Sequence, residues 1–214
     1  MHQFFIIGIC ILTVFGSIAC SSNTGQDAFY PSLITDFAAV YSDNDGNLYR
    51  IQPDHKKGLY LSNPIAGYHP GTEYRGVCTY TFSSDDSSVV RLYGLRHVNI
   101  LRDSTKSTYP GKDPLSLVSM WDGGDFINLH LTTKTQHGRQ FFGFRTDSVT
   151  LGTNQRRTAH LSLYHNQNND PQSYSQTEYA SLPKSSVSTL ISDGDSICLY
   201  IHTYEGIKTA KFIY

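Results

Sequence analysis

The chain has 214 residues, with Lys+Arg 17 against Asp+Glu 18, a formal net charge of -1, 39% apolar residues and 16% charged residues. At roughly 100–200 residues per domain, this is one large or two small domains. A neutral, charge-poor chain lacks the basic stripe of a nucleic-acid binder, so no nucleic-acid partner is expected, and 15 Tyr with 11 Phe exclude disorder.

The first feature along the chain is the uncharged run Phe4 to Phe15, FFIIGICILTVF. A spanning helix needs about 20 apolar residues, so this run is too short to cross a membrane. It fits the apolar region of a secretory signal, and residues 1–19 are predicted to be one. Ser17-Ile18-Ala19-Cys20 follows, then the polar run Ser21 to Asp27. Small residues before a Cys at the end of an export signal resemble a bacterial lipobox, although Ser17 stands where Leu is commonest. Cys20 is therefore predicted to be the lipidated mature N-terminus, with 20–32 as its tether. Plain cleavage after Ala19 is the alternative. Several acyl chains on Cys20 would hold the protein stably on a membrane.

From Leu33 the texture becomes that of strands. Leu33, Phe37, Ala39 and Tyr41 share one parity, and Ile34, Ala38 and Val40 the other. SDNDG at 42–46 is a turn, because Asn, Asp and Gly tolerate the positive φ of tight hairpins. Leu48 to Ile51, Gly58 to Leu61 and Tyr74 to Phe82 read as further strands, and Val89 to Leu101 as a long, bent fifth. Five short strands over 33–103 predict a small OB-like barrel. Residues 104–114, rich in Ser, Thr, Pro and Gly, are predicted to be a linker. Over 115–214 the pattern resumes: Leu115 to Trp121, Phe126 to Thr133, Arg139 to Arg145, Ala159 to His165, Tyr179 to Leu182, Ser196 to Tyr204 and Lys208 to Tyr214. These predict an antiparallel β-sandwich. The fold class is thus all-β, an N-terminal five-stranded OB-like barrel followed by a C-terminal sandwich.

Few residues suggest chemistry. Asp43-Asn44-Asp45-Gly46 begins like a calcium loop, but its twelfth position is Asp54 rather than Glu and no helices flank it, so a hairpin turn is expected. Asp122 and Asp125 could form a glycosidase pair, yet they flank Gly123-Gly124, which makes them turn residues. Asp193 and Asp195 around Gly194 read the same way. His160 and His165 are five apart, so on a continuous strand they face opposite sides. His130 and His202 lie in other strands and could approach. There is no GxSxG elbow, no phosphate loop and no zinc-type Cys spacing, so no catalytic residue, metal or cofactor is assigned. Cys78 and Cys198 could form a bridge in an oxidising envelope; two buried thiols are preferred, since they fall in different predicted domains. Trp121 is expected to anchor the sandwich core. Tyr41, Tyr49, Tyr60, Tyr68, Tyr93 and Tyr109 lie outside clear core faces and could form a contact patch.

Taken in order, several of these pieces resemble one family. They are the lipobox, Asp36-Phe37, the Asp54/Gly58/Tyr60 turn, Arg75-x-Val77, the block Trp121 to Leu129 (W-x-G-G-x-F-I-N-L), and Leu163-Tyr164-His165-Asn166. Together they are similar to the NigD-like lipoproteins of Bacteroidota. The resemblance implies an OB-type domain followed by a β-sandwich, and brings no catalytic residues. The family's name comes from a bacteriocin gene cluster, which implies a link to immunity or secretion. The function expected is a non-catalytic envelope lipoprotein that binds a protein or glycan partner. A bacteriocin immunity-like protein is the alternative, and an envelope glycoside hydrolase a weaker one. Surface lipoproteins of such bacteria tend to carry acidic residues just after the lipidated Cys; Ser21 to Gln26 contains none. An outer-membrane protein facing the periplasm is therefore expected.

Overall fold

A computed structural model describes residues 32–83 and 86–214. The signal segment, Cys20 and nearly all of the tether lie outside the described residues.

The first five strands are β1 (Ile34–Ser42), β2 (Leu48–Pro53), β3 (Leu59–Ile65), β4 (Glu73–Phe82) and β5 (Val89–His97). They close into a barrel in the order β1-β2-β3-β5-β4, with β4 returning to pair along β1. Closure removes the open edges that a five-stranded sheet would otherwise present. Because strand residues alternate faces, Ala38, Val40, Leu48, Ile51, Cys78, Tyr80, Val90 and Leu92 fill the interior. The polar end of Tyr80 is satisfied at the barrel wall, where its hydroxyl donates to Asp36 Oδ2 at 2.7 Å. Burial, then this hydrogen bond, pushes its phenol pKa up. The DNDG segment is a hairpin turn: Asp43 Oδ1 accepts the backbone N–H groups of Asp45 at 2.9 Å and Asn47 at 2.8 Å. These bonds, the Asn47 one foremost, hold the Asp43 carboxyl below its usual pKa.

The long fifth strand expected from sequence is in fact two. Strand β5 ends at His97, Val98 is fully buried, and β6 (Asn99–Ile100) pairs in parallel with a strand of the next module. The bend is where the chain leaves the barrel. No turn residue marks it, because an extended chain can exchange partners without breaking its alternation.

The remaining strands are β7 (Ser116–Asp122), β8 (Phe126–Thr135), β9 (Phe141–Leu151), β10 (Arg157–Asn166), β11 (Tyr174–Pro183), β12 (Ser196–Thr203) and β13 (Gly206–Ile213), with a short 3-10 turn at Lys184–Val187. They form two sheets, ordered β13-β12-β10-β9 and β6-β11-β8-β7. Leu115, Ile127, Leu129, Leu131, Phe144, Leu161, Leu182, Ile197, Leu199 and Ile201 fill the space between them. The sandwich is antiparallel apart from β10/β12 and β6/β11. The β10/β12 pair is parallel because β11 crosses to the other sheet between them.

Residues 104–114 form no strand but lie along the sandwich. Ser104 N–H donates to Phe144 O at 2.8 Å, and the Arg145 guanidinium donates to the carbonyls of Ser104, Ser107 and Pro110. His165 N–H donates to Gly111 O at 2.9 Å, and Gly111 has φ +66. A Cβ at Gly111 would sit 2.0 Å from the Tyr164 ring, so no side chain fits there.

Candidate functional site

Most residues nominated from sequence prove to be fixed by neighbours. Asp122 Oδ1 accepts Gly124 N–H at 2.8 Å, and its Oδ2 forms an ion pair with Lys184 at 2.9 Å. It therefore anchors a turn rather than acting as half of an acid pair. Asp195 is buried and accepts the N–H groups of Arg157 and Ser192, while Asp193 is exposed. A bulge lies opposite His160, but the extra residue is Asp147 on β9, so β10 keeps its alternation. His160 faces outward between Tyr200 and Thr150. His165 is buried, stacked 4.9 Å from Phe142 and hydrogen-bonded to Asp113 O and Gln140. Burial holds its pKa below the usual imidazole value. His130 packs on Tyr179 in one sheet and His202 lies in the other, so the two do not meet. Among the described residues, no group of three or more His, Cys, Asp or Glu is placed to hold a metal ion.

Cys78 and Cys198 are both free thiols. Burial pushes Cys78 up to about 12. Cys198 is only half-buried, contrary to expectation, because its strand parity points it outward between the inward-facing Ile197 and Leu199. The six tyrosines form no single patch. Tyr68 packs on Tyr74 at 5.3 Å, Tyr109 donates to Asp113, and Tyr60 and Tyr93 lie exposed on β3 and β5.

The family-like motifs instead converge where barrel and sandwich meet. Arg75 on β4 points out of the barrel and is 4% exposed. Its guanidinium grips Asp54 at 2.7 and 2.6 Å, reaches Asn128 Oδ1 at 3.1 Å and Ser181 Oγ at 3.3 Å, and lies 4.2 Å from the Phe126 ring centre. Asn128 Nδ2 donates to Asp54 Oδ2 at 2.7 Å, and Ser181 Oγ donates to Asn128 Oδ1 at 2.7 Å. The barrel supplies Asp54 and Arg75; the sandwich supplies Phe126, Asn128 and Ser181. Gly123 is the space requirement of this lock: a Cβ there would lie 2.3 Å from Asn128 Nδ2 and 2.4 Å from Asp54 Oδ2. Beside it, Phe37 packs edge-on against Trp121 at 5.0 Å and Tyr179 at 5.6 Å, over the buried Val77 and Val98. Trp121 therefore anchors the junction, not the sandwich interior. The physical reason is that its strand turns it to the outer face of the sheet, onto which the barrel is docked.

An open groove runs beside the lock. A cleft of about 510 Å³ is lined by Tyr41, Tyr49, Asn44, Thr72 and Glu73. It adjoins one of about 300 Å³ bounded by Tyr41, Glu73, His55 and Asp125, and another of about 480 Å³ reaching Lys184, Asp193 and Tyr214. Glu73 borders all three. Burial, then the nearby Glu73 carboxylate, raises the Tyr41 phenol pKa.

The model of the NigD-like C-terminal beta sandwich domain matches residues 97–214, more than half of the chain. The chain belongs to the NigD-like family. The matched region begins at the end of β5, one residue before the buried Val98 where the chain enters the sandwich. Three solved structures share the fold of this NigD-like chain. A NigD-like immunity protein from Bacteroides caccae has 23% identity and a TM-score of 0.64, covering 86% of this chain and 99% of its own. A candidate toxin-related protein from Parabacteroides distasonis has 18% identity and a TM-score of 0.65, covering 86% and 93%. A candidate lipoprotein from Bacteroides fragilis has 11% identity and a TM-score of 0.56, covering 86% and 97%. No curated protein sequence matches the chain.

Proposed function

We propose that this NigD-like protein is a non-catalytic lipoprotein of the cell envelope, anchored through Cys20, whose two β-modules form one rigid surface for a protein or glycan partner. One observation carries the reading. The motif residues Asp54, Arg75, Gly123 and Asn128 join barrel to sandwich, and the open groove lies beside that joint rather than within either module. Because a buried ion pair adds little net stability over an apolar contact, we read this network as fixing the relative orientation of the two modules, which suits a composite binding surface. The lipobox before Cys20 and the likeness to a candidate lipoprotein support the envelope assignment. An outer-membrane position facing the periplasm accords with the absence of acidic residues just after Cys20. The name of the Bacteroides caccae neighbour favours a second reading, in which the partner is a bacteriocin that the protein sequesters.

The first test is capture from the native envelope with a photo-crosslinking residue in place of Tyr49. A specific adduct supports the binding reading; no adduct from envelopes of cells that express the protein counts against it. Protection of a sensitive strain by expression would favour the immunity reading. For the anchor, Cys20→Ala should release the protein from the membrane fraction, and retention with acyl label would overturn the lipidation.

A further inference from the structure

The groove has a one-sided charge. Glu73, Asp125 and Asp193 are exposed, and among the described residues their carboxylates make no ion pair within 4.0 Å. Of the cations along its length, Arg75 is neutralised by Asp54 and Lys184 by Asp122. Arg156 donates to the Asp193 carbonyl, and Arg50 donates to Gln52 and lies over one face of the Tyr41 ring. These two offset part of the groove's negative charge, while the carboxylates of Asp43, Glu73, Asp125 and Asp193 leave it acidic. An anionic ligand would therefore meet uncompensated like charge, and a neutral one would gain nothing from it. Tyrosine rings add to the pull on a cation, because a ring face attracts ammonium and guanidinium groups. The barrel shows that chemistry in its own fold, where Arg50 lies 5.2 Å over the Tyr41 ring. Tyr49, 38% exposed, stands across the same cleft. The adjoining clefts pass from the β1–β2 turn to the end of β13, too extended for one small cation.

From this charge complementarity we infer that the groove receives an extended, lysine- or arginine-rich segment of a partner protein. The inference rests on the binding-module reading and narrows its partner to a basic polypeptide. Attraction between exposed charges is weakened by salt, so binding should be strongly salt-dependent.

The test titrates the full chain in detergent micelles with a labelled peptide of six Lys-Gly repeats, a matching Glu-Gly peptide, and neutral chitohexaose. The Lys-Gly peptide should bind at least tenfold tighter than the Glu-Gly peptide. Its affinity should fall at least tenfold between about 50 mM and about 500 mM salt. The double variant Glu73→Gln/Asp125→Asn should lose at least tenfold in affinity with an unchanged circular dichroism spectrum. Asp147→Asn, on β9 of the other sheet, should bind as wild type does. Equal affinity for the two peptides, an unaffected double variant, or preferential binding of chitohexaose would overturn the inference. The two readings fail separately. If an envelope partner captured at Tyr49 binds wild type and double variant alike, the charge inference falls and the binding module stands. If Lys-Gly binding needs the carboxylates but capture yields no partner, the groove's preference for basic chains stands as a property of the surface, while the envelope-partner reading, and with it the assignment of a natural basic partner, falls.

Discussion

The barrel is closed by strand pairing, whereas the sandwich is two open four-stranded sheets packed face to face, and the two meet their burial requirements differently. The sandwich core is mostly Leu and Ile contributed by both sheets, with Phe144, Ala159, Ala180 and Val187, together with Leu101 and Leu115 from the connecting segment. The barrel interior is smaller and includes Ala38, Cys78 and a Tyr80 whose hydroxyl must be satisfied at the wall. Part of the barrel's apolar surface faces outward: Phe37, Val77 and Val98 are buried only because Trp121 and Tyr179 cover them. The sandwich thus completes the barrel, through a joint that combines an aromatic cluster with a buried ion pair. Small modules bury too little surface to be robust alone, and this one uses its neighbour as additional core.

The largest test of that contrast removes one half of the ion pair. Asp54→Ala leaves Arg75 buried without its carboxylate, which should cost about 3–5 kcal/mol. The barrel should then melt before the sandwich, seen as two transitions in urea; one transition of unchanged midpoint would refute the dependence. Trp121→Ala should cost about 2–3 kcal/mol, less than the 3–5 of a fully buried ring, and should lower the barrel transition selectively. Gly111→Ala places a Cβ against Tyr164 at a positive φ, so it should destabilise by more than about 1 kcal/mol. That effect should appear in the sandwich transition, to which residues 104–114 are tied.

The next measurement separates the modules by pH. His165 sits in the sandwich with a pKa lowered, mainly by burial, from 6.5. A depressed folded value means that its contribution is complete above the unfolded pKa and is lost as pH falls through the folded one. The sandwich should therefore weaken on acidification from pH about 7.5 to about 5. In His165→Gln that slope should flatten, and an equal slope in both proteins would rule the residue out. The smallest effect is chemical. Cys198 should react with a thiol-alkylating reagent in the folded protein, while Cys78, raised to about 12 by burial, stays unmodified until the barrel opens. Equal reaction rates would contradict the assigned burial.

Legibility followed the range of the interaction concerned. Alternation along β1, β4, β8 and β10 could be read directly, since the face a strand residue takes is settled by its nearest neighbours. The turns at Asp43–Gly46 and Asp122–Asp125 were equally plain, because only a few residue types tolerate such backbones. The groove was half-visible: Tyr41 and Tyr49 stood out as surface tyrosines, and Asp125 and Asp193 as turn acids. Nothing in their spacing said that Glu73 brings them to one surface.

Local order alone therefore determined that this is an all-β chain with a barrel-like and a sandwich-like half. Tertiary structure decided the rest. It divided one apparent strand into β5 and β6, turned Trp121 outward to the junction, and brought Arg75 of one module to Asn128 of the other, 53 residues away. It also made Asp54, which looks like a loop carboxylate in the sequence, the counter-charge of a buried guanidinium. The physical reason is that strand periodicity encodes which face a residue occupies. Which surface covers that face depends on pairing between distant segments, and that is settled only when both modules are folded and their remaining apolar and charged groups must be matched.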